Sequence, residues 1–202
     1  MSSEYDPLGH SRDSVAVDDD LESVRDRFER AGRPYLSSPW SWLAWALILP
    51  ATALVTPVVL DRFGRFAVLL LWSVAVLVGG AVEMSQIMRG RTRQGPSTPL
   101  AAWVLRIQGN LSLVGLALSV LLVARGLTWA LPGLWLLILG HSFYVVGGLS
   151  FSPLRTSGLI YQAGGLLALW PGGSPLAVFA ATVFVGNLWT AWGIWRRGPS
   201  SG

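Results

Sequence analysis

Six long apolar runs, almost free of charge, divide this chain and set lipid as its solvent. They cover residues 40–60, 66–88, 100–124, 127–148, 153–170 and 175–195. A spanning helix needs about 20 mostly apolar residues, with about 17–25 tolerated. The fifth run is the shortest. Read with Ser152 as N-cap and Pro153 at the first helical position, it still reaches roughly 27 Å at ~1.5 Å per residue. Lipid offers no partner to backbone N–H and C=O groups, and no run alternates as a barrel strand must, so each run is expected to be helical.

Composition agrees. Hydrophobic residues make up 52% of the chain and charged residues 13%, whereas a soluble bundle would carry charge on every outer face. A length of 202 residues allows one folded domain. The net charge of +4 does not point to nucleic acid. The arginines sit at run ends and in one tail, not on a basic face with interleaved aromatics.

The expected fold is therefore all-α: a polytopic transmembrane bundle of six helices arranged as three antiparallel hairpins. Residues 1–38 form a cytoplasmic tail, 39–197 the membrane domain and 198–202 a flexible C-terminal tail. The links at 61–65, 125–126, 149–152 and 171–174 are hairpin-length, so consecutive helices should pack as neighbours. The link at about 89–99, with Arg89, Arg91 and Arg93, is longer and is the one loop with room to bind something. Pro50 and Pro57 interrupt the first run, and Pro50 is expected to kink it. Pro132 falls in the first turns of the fourth.

Missing residue types narrow the chemistry. The chain has no cysteine, which excludes disulfides, thiolate catalysis and Cys-based metal sites. It has no lysine, which excludes a Schiff base and a P-loop. His141 is the one intramembrane histidine, so bis-histidine haem ligation within one chain is excluded. Catalytic motifs are absent as well. The reading is of a protein that is not an enzyme and holds no metal or cofactor.

Arginine placement sets the expected orientation. Arg25, Arg27, Arg30, Arg33, Arg89, Arg91, Arg93, Arg155, Arg196 and Arg197 fall on one side, against Arg62, Arg65 and Arg125 on the other. Basic residues near helix ends concentrate in the cytoplasm, so both termini of this multi-pass inner-membrane protein are expected there. Trp40, Trp42, Trp103, Trp192 and Trp195 would form the inner belt, with Trp129 and Trp170 at the outer boundary. The start is acidic, with no apolar stretch before residue 40, so no signal peptide is expected. Residues 1–17 are polar and aperiodic and are expected to be disordered. Residues 20–31 read as a short amphipathic helix, with Leu21, Val24, Phe28 and Ala31 as its apolar stripe. That helix can lie on the inner membrane surface or dock a cytoplasmic partner.

Polar residues inside the runs are the functional lead, because charge in a spanning helix costs about 2.5–3.5 kcal/mol on insertion scales. Glu83 is the one acid within a run and Arg106 the one base well inside. Both lie toward the cytoplasmic ends of their helices and can meet at similar depth, either as a packing ion pair or as the lining of an inner cavity. Arg106 shares a face with Asn110 at i, i+4, and His141 shares one with Tyr144 at i, i+3. Gln162 lies between Gly158 and Gly165, and Asn187 lies one turn before Thr190. All fall in the cytoplasmic half, while the outer half is aliphatic and glycine. A through-going channel would need polar lining along its whole length. The candidate ligand-binding set is thus Glu83, Arg106, Asn110, His141, Tyr144, Gln162 and Asn187. The segments Gly140–Gly147 and Gly186–Gly193 have similar layouts, a weak sign of a repeated hairpin.

The layout of 24–45, and of the stretch from Pro132 and Trp135 to Trp189 and Trp195, resembles a group of small six-helix bacterial membrane proteins that open with a short cytoplasmic helix. The resemblance implies a fold and carries no activity. Two functions remain. One is a non-catalytic sensory, regulatory or complex-forming subunit with a cytoplasm-facing polar pocket. Its partners would be the bilayer and a cytoplasmic or membrane protein met through residues 20–31 and the loop at 89–93. The other is a small-solute transporter or exporter subunit with a site near Glu83, Arg106 and His141.

Overall fold

A computed structural model describes the backbone at residues 38–94, 99–150 and 152–196, and the side chains there except at 87, 90–94, 99–105, 149 and 150. The expected amphipathic helix at 20–31 and the tail at 198–202 lie outside the described residues. Five α-helices follow in order: α1 (Pro39–Gln94), α2 (Pro99–Ala124), α3 (Leu131–Ser150), α4 (Ser152–Ala168) and α5 (Pro175–Arg196), with a 3-10 turn at Thr128–Ala130 before α3. No strand occurs among the described residues.

Four of these segments are long and apolar enough to cross a membrane: Pro39–Gln86, Arg106–Ala124, Thr128–Gly148 and Pro175–Arg196. This corrects the expected count of six separate helices in three hairpins. The first two runs share one helical span, because the expected link at 61–65 is helical except at Gly64. The fifth run yields only 17 residues of helix, since Pro171, Gly172 and Gly173 stop it and the last turn ends at Ala168. The expected 89–99 loop is also shorter. Residues 89–94 continue α1 through Gly90, and the Gly95–Pro96 pair follows its last residue.

Gly64 has φ 79° and ψ −176°, a backbone state open essentially to glycine alone. The two halves of α1 lie against each other on either side of it. Trp45 meets Glu83, Trp72 meets Thr56, and the face of Gly79 is covered by the Trp45 ring. Pro50 and Pro57 lie inside the helix, and the one non-helical residue of α1 is Gly64.

Glycine governs the tightest packing. Gly133, Gly140 and Gly147 recur every seventh residue on α3, and Gly158 and Gly165 do so on α4. A methyl group at Gly140 would strike the Gln162 backbone, one at Gly147 the Arg155 backbone and one at Gly158 the Tyr144 backbone. The missing side chains let two antiparallel backbones touch, as small residues do at membrane helix interfaces. α5 packs on α4 by the same device: Gly186 receives the Tyr161 ring and Gly164 receives the Thr182 side chain. α1 covers the other side of α5, and the core gathers Ala53, Leu136, Tyr161, Phe179 and Val183. α2 is peripheral. It rests on α3 and the 3-10 turn and leaves most of its length uncovered.

Candidate functional site

The richest polar cluster lies between α4 and α5. Ser157 and Tyr161 are one turn apart on α4, as are Gly186 and Thr190 on α5, so each pair projects from one face. The Ser157 and Thr190 hydroxyls are hydrogen-bonded at 2.6 Å, and each lies within bonding distance of the Gly186 carbonyl, at 2.8 and 3.1 Å, so their two protons serve one bond between them and one to that carbonyl. The Tyr161 hydroxyl donates to Asn187 Oδ1 at 3.0 Å. All four side chains are buried: Ser157 and Thr190 at 0% exposure, Tyr161 and Asn187 at 2%. The Tyr161 ring is held edge-on by Phe143, which in turn meets Trp42 edge-on. Every buried side-chain nitrogen and oxygen among the described residues has a hydrogen-bond partner.

The expected site residues are spread over separate contacts. Asn187 belongs to the cluster just described. Glu83 is exposed, and its carboxylate accepts a hydrogen bond from the Trp45 indole at 3.2 Å. No ion pair joins Glu83 to Arg106 among the described residues, because Arg106 sits on peripheral α2 and α1 packs on α5 instead. Tyr144 accepts from the Arg155 guanidinium at 2.9 Å, and the same guanidinium lies over its ring, 4.9 Å from the centroid. That pair clips α3 to α4 beside their short connection. Gln162 is half-buried, with its backbone against Gly140. Arg106, Asn110 and His141 are exposed and make no hydrogen bond among the described residues.

Sequence reasoning missed three devices. Ser157 drew no notice, although its i, i+4 relation to Tyr161 put it on a face with a polar neighbour. The seven-residue spacing of Gly140 and Gly147 reads in the sequence as a sign of a repeated hairpin, and its role as a backbone contact with α4 does not show there. The third device is a pair of matching stitches. Trp72 donates to Thr56 at 3.0 Å, and Trp135 donates to Ser119 at 3.1 Å. Each pair is 16 residues apart, and each brackets a glycine with positive φ, Gly64 or Gly126. A buried indole N–H needs an acceptor, and a hydroxyl on the facing helix supplies it. A further bond, from Ser142 to Gln108 at 2.6 Å, fixes α2 on α3.

No group of three or more His, Asp or Glu among the described residues is placed to hold a metal ion. No protein family, no curated protein and no solved structure matches the chain.

Proposed function

We propose that this chain is a non-catalytic integral membrane subunit that acts by forming a complex, in a sensory or regulatory role. The observation that carries this reading is the division of its polar groups. Those inside the bundle satisfy one another, as Ser157, Thr190, Tyr161 and Asn187 do. Those left without a partner among the described residues, Arg106, Asn110 and His141, are on the outside. Internal saturation serves stability, and outward polar groups in lipid serve contact with another protein. The transporter alternative asks Glu83, Arg106 and His141 to converge, and its support weakens with the Glu83 carboxylate bonded to Trp45.

The same proposal includes six crossings with both termini in the cytoplasm. Straight, the 48 residues of Pro39–Gln86 would extend ~72 Å, more than twice a hydrocarbon core of about 30 Å. Folding back at Gly64 divides that length into two crossings of ~39 and ~33 Å. α4, with 17 residues, reaches ~26 Å and supplies the sixth between α3 and α5. Trp40, Trp170 and Trp195 are exposed at segment ends, as belt residues would be.

The test is to extract the protein at native expression level into lipid nanodiscs and weigh the particles. Particles holding the 21.8 kDa chain in fixed stoichiometry with another polypeptide, or with itself, support the reading. Single chains that bind and move a solute would sink it and favour the transporter.

A further inference from the structure

The outer face of α2 carries a seam that none of the described residues covers. α2 meets α3 through Gln108, Gly115 and Ser119. On the opposite side lie Arg106, Asn110, Leu113, Ala117, Val120 and Ala124, all exposed, with Leu113 and Val120 each at 64%. Their alternating steps of four and three residues are those of the a and d positions of a two-helix coil, the spacing that keeps one stripe facing a partner helix. Lipid could cover the apolar members, but it cannot serve Asn110. That residue lies eleven positions after Pro99, where α2 begins, or ~16 Å along the helix. Arg106 has a long stem that can carry its charge back to the headgroups, and the short Asn110 side chain cannot follow. Its amide holds two donors and an acceptor oxygen with nothing to bond among the described residues.

We propose that the occupant of this face is a second copy of the same chain, paired through α2. An amide is self-complementary: the NH2 of one Asn110 donates to the oxygen of the other, and the reverse bond follows from a two-fold axis along the membrane normal. Both copies sit in the bilayer with the same orientation, so the two α2 helices run parallel and their a and d positions meet in register. Gly109, beside Asn110, has open space where a side chain would be, which lets the partner approach. The two Arg106 side chains diverge toward the inner headgroups. The proposal rests on the complex-forming reading above and names its partner.

The chain has no cysteine, so a single introduced thiol reports contact without background. Leu113→Cys in the full-length protein, reconstituted in dilute phosphatidylethanolamine–phosphatidylglycerol liposomes and oxidised with copper phenanthroline, is expected to give a disulfide-linked dimer. Leu77→Cys, equally lipid-exposed on α1, is expected to give little. Adding Asn110→Leu to Leu113→Cys should weaken association by roughly three- to twenty-fold, the range measured for membrane hydrogen bonds, and Asn110→Gln should restore part of it. Equal cross-linking at Leu113 and Leu77, or a yield indifferent to Asn110→Leu, overturns the proposal. So does unfolding of the Asn110→Leu monomer, which would make the amide a structural group of the bundle. A native particle with one copy of this chain and a different protein would overturn the pairing and leave the complex-forming reading intact.

Discussion

The Tyr161 hydroxyl donates to Asn187 Oδ1 at 3.0 Å, joining α4 to α5 where both side chains are all but sealed from the surface. Removing one partner leaves the other buried without a bond, which costs about 1–3 kcal/mol in general and near 0.6 kcal/mol in the average membrane case. Tyr161→Phe and Asn187→Leu should each destabilise the protein. The double variant should lose less than the sum, because the second change removes a group already orphaned. Unfolding equilibria in bicelles measure the cycle, and strict additivity would show that the bond is energetically silent.

The glycine seam predicts a contrast between Gly158 on α4 and Gly148 on α3. Gly158→Ala places a methyl group against the Tyr144 backbone, which cannot move aside as a side chain can. The helices must separate, at a cost of about 1–3 kcal/mol for overpacking. Gly148→Ala meets open space and should be neutral or slightly stabilising, since alanine favours helix by roughly 1 kcal/mol over glycine. Thermal unfolding in detergent ranks the two. Equal effects would mean that α3 and α4 are not in backbone contact.

Gly64→Ala should be worse than its exposed position implies. Its φ of 79° with ψ near 180° is a state that costs a residue with a side chain about 1–3 kcal/mol. The variant is expected to loosen the fold-back of α1, read as reduced cross-linking by a short bifunctional thiol reagent between Trp45→Cys and Gly79→Cys in the cysteine-free background. Unchanged pairing would show that the reversal does not depend on this dihedral.

Glu83 and Arg106 should behave as strangers. The effects of Glu83→Gln and Arg106→Gln on stability are expected to add within about 0.3–0.5 kcal/mol, as for sites without shared partners. Glu83→Gln and Trp45→Phe, which share a hydrogen bond, should instead couple. Strong coupling between Glu83 and Arg106 would restore the ion pair that their depths in the sequence allow.

How much was legible depends on whether a property is local. Ser152 and Pro153 open α4 as their chemistry requires, and Pro132 lies in the first turn of α3. Asn187 was visible because an amide in an apolar run stands out. Its bond to Tyr161 was not, since 26 residues separate them and periodicity assigns a face without naming what lies opposite. The Glu83–Arg106 pairing failed for the same reason. Similar depth is a property of each helix, but meeting requires α1 and α2 to be neighbours, and packing put α5 beside α1 instead.

Residue chemistry alone established that this chain is helical and suited to lipid, because apolar length and the need to satisfy backbone groups act within each segment. Only the tertiary structure decided which polar groups are spent inside the bundle and which remain outside. That choice turns on close backbone approach at Gly140, Gly158 and Gly186, where the absence of a side chain matters only once another helix arrives to fill the space.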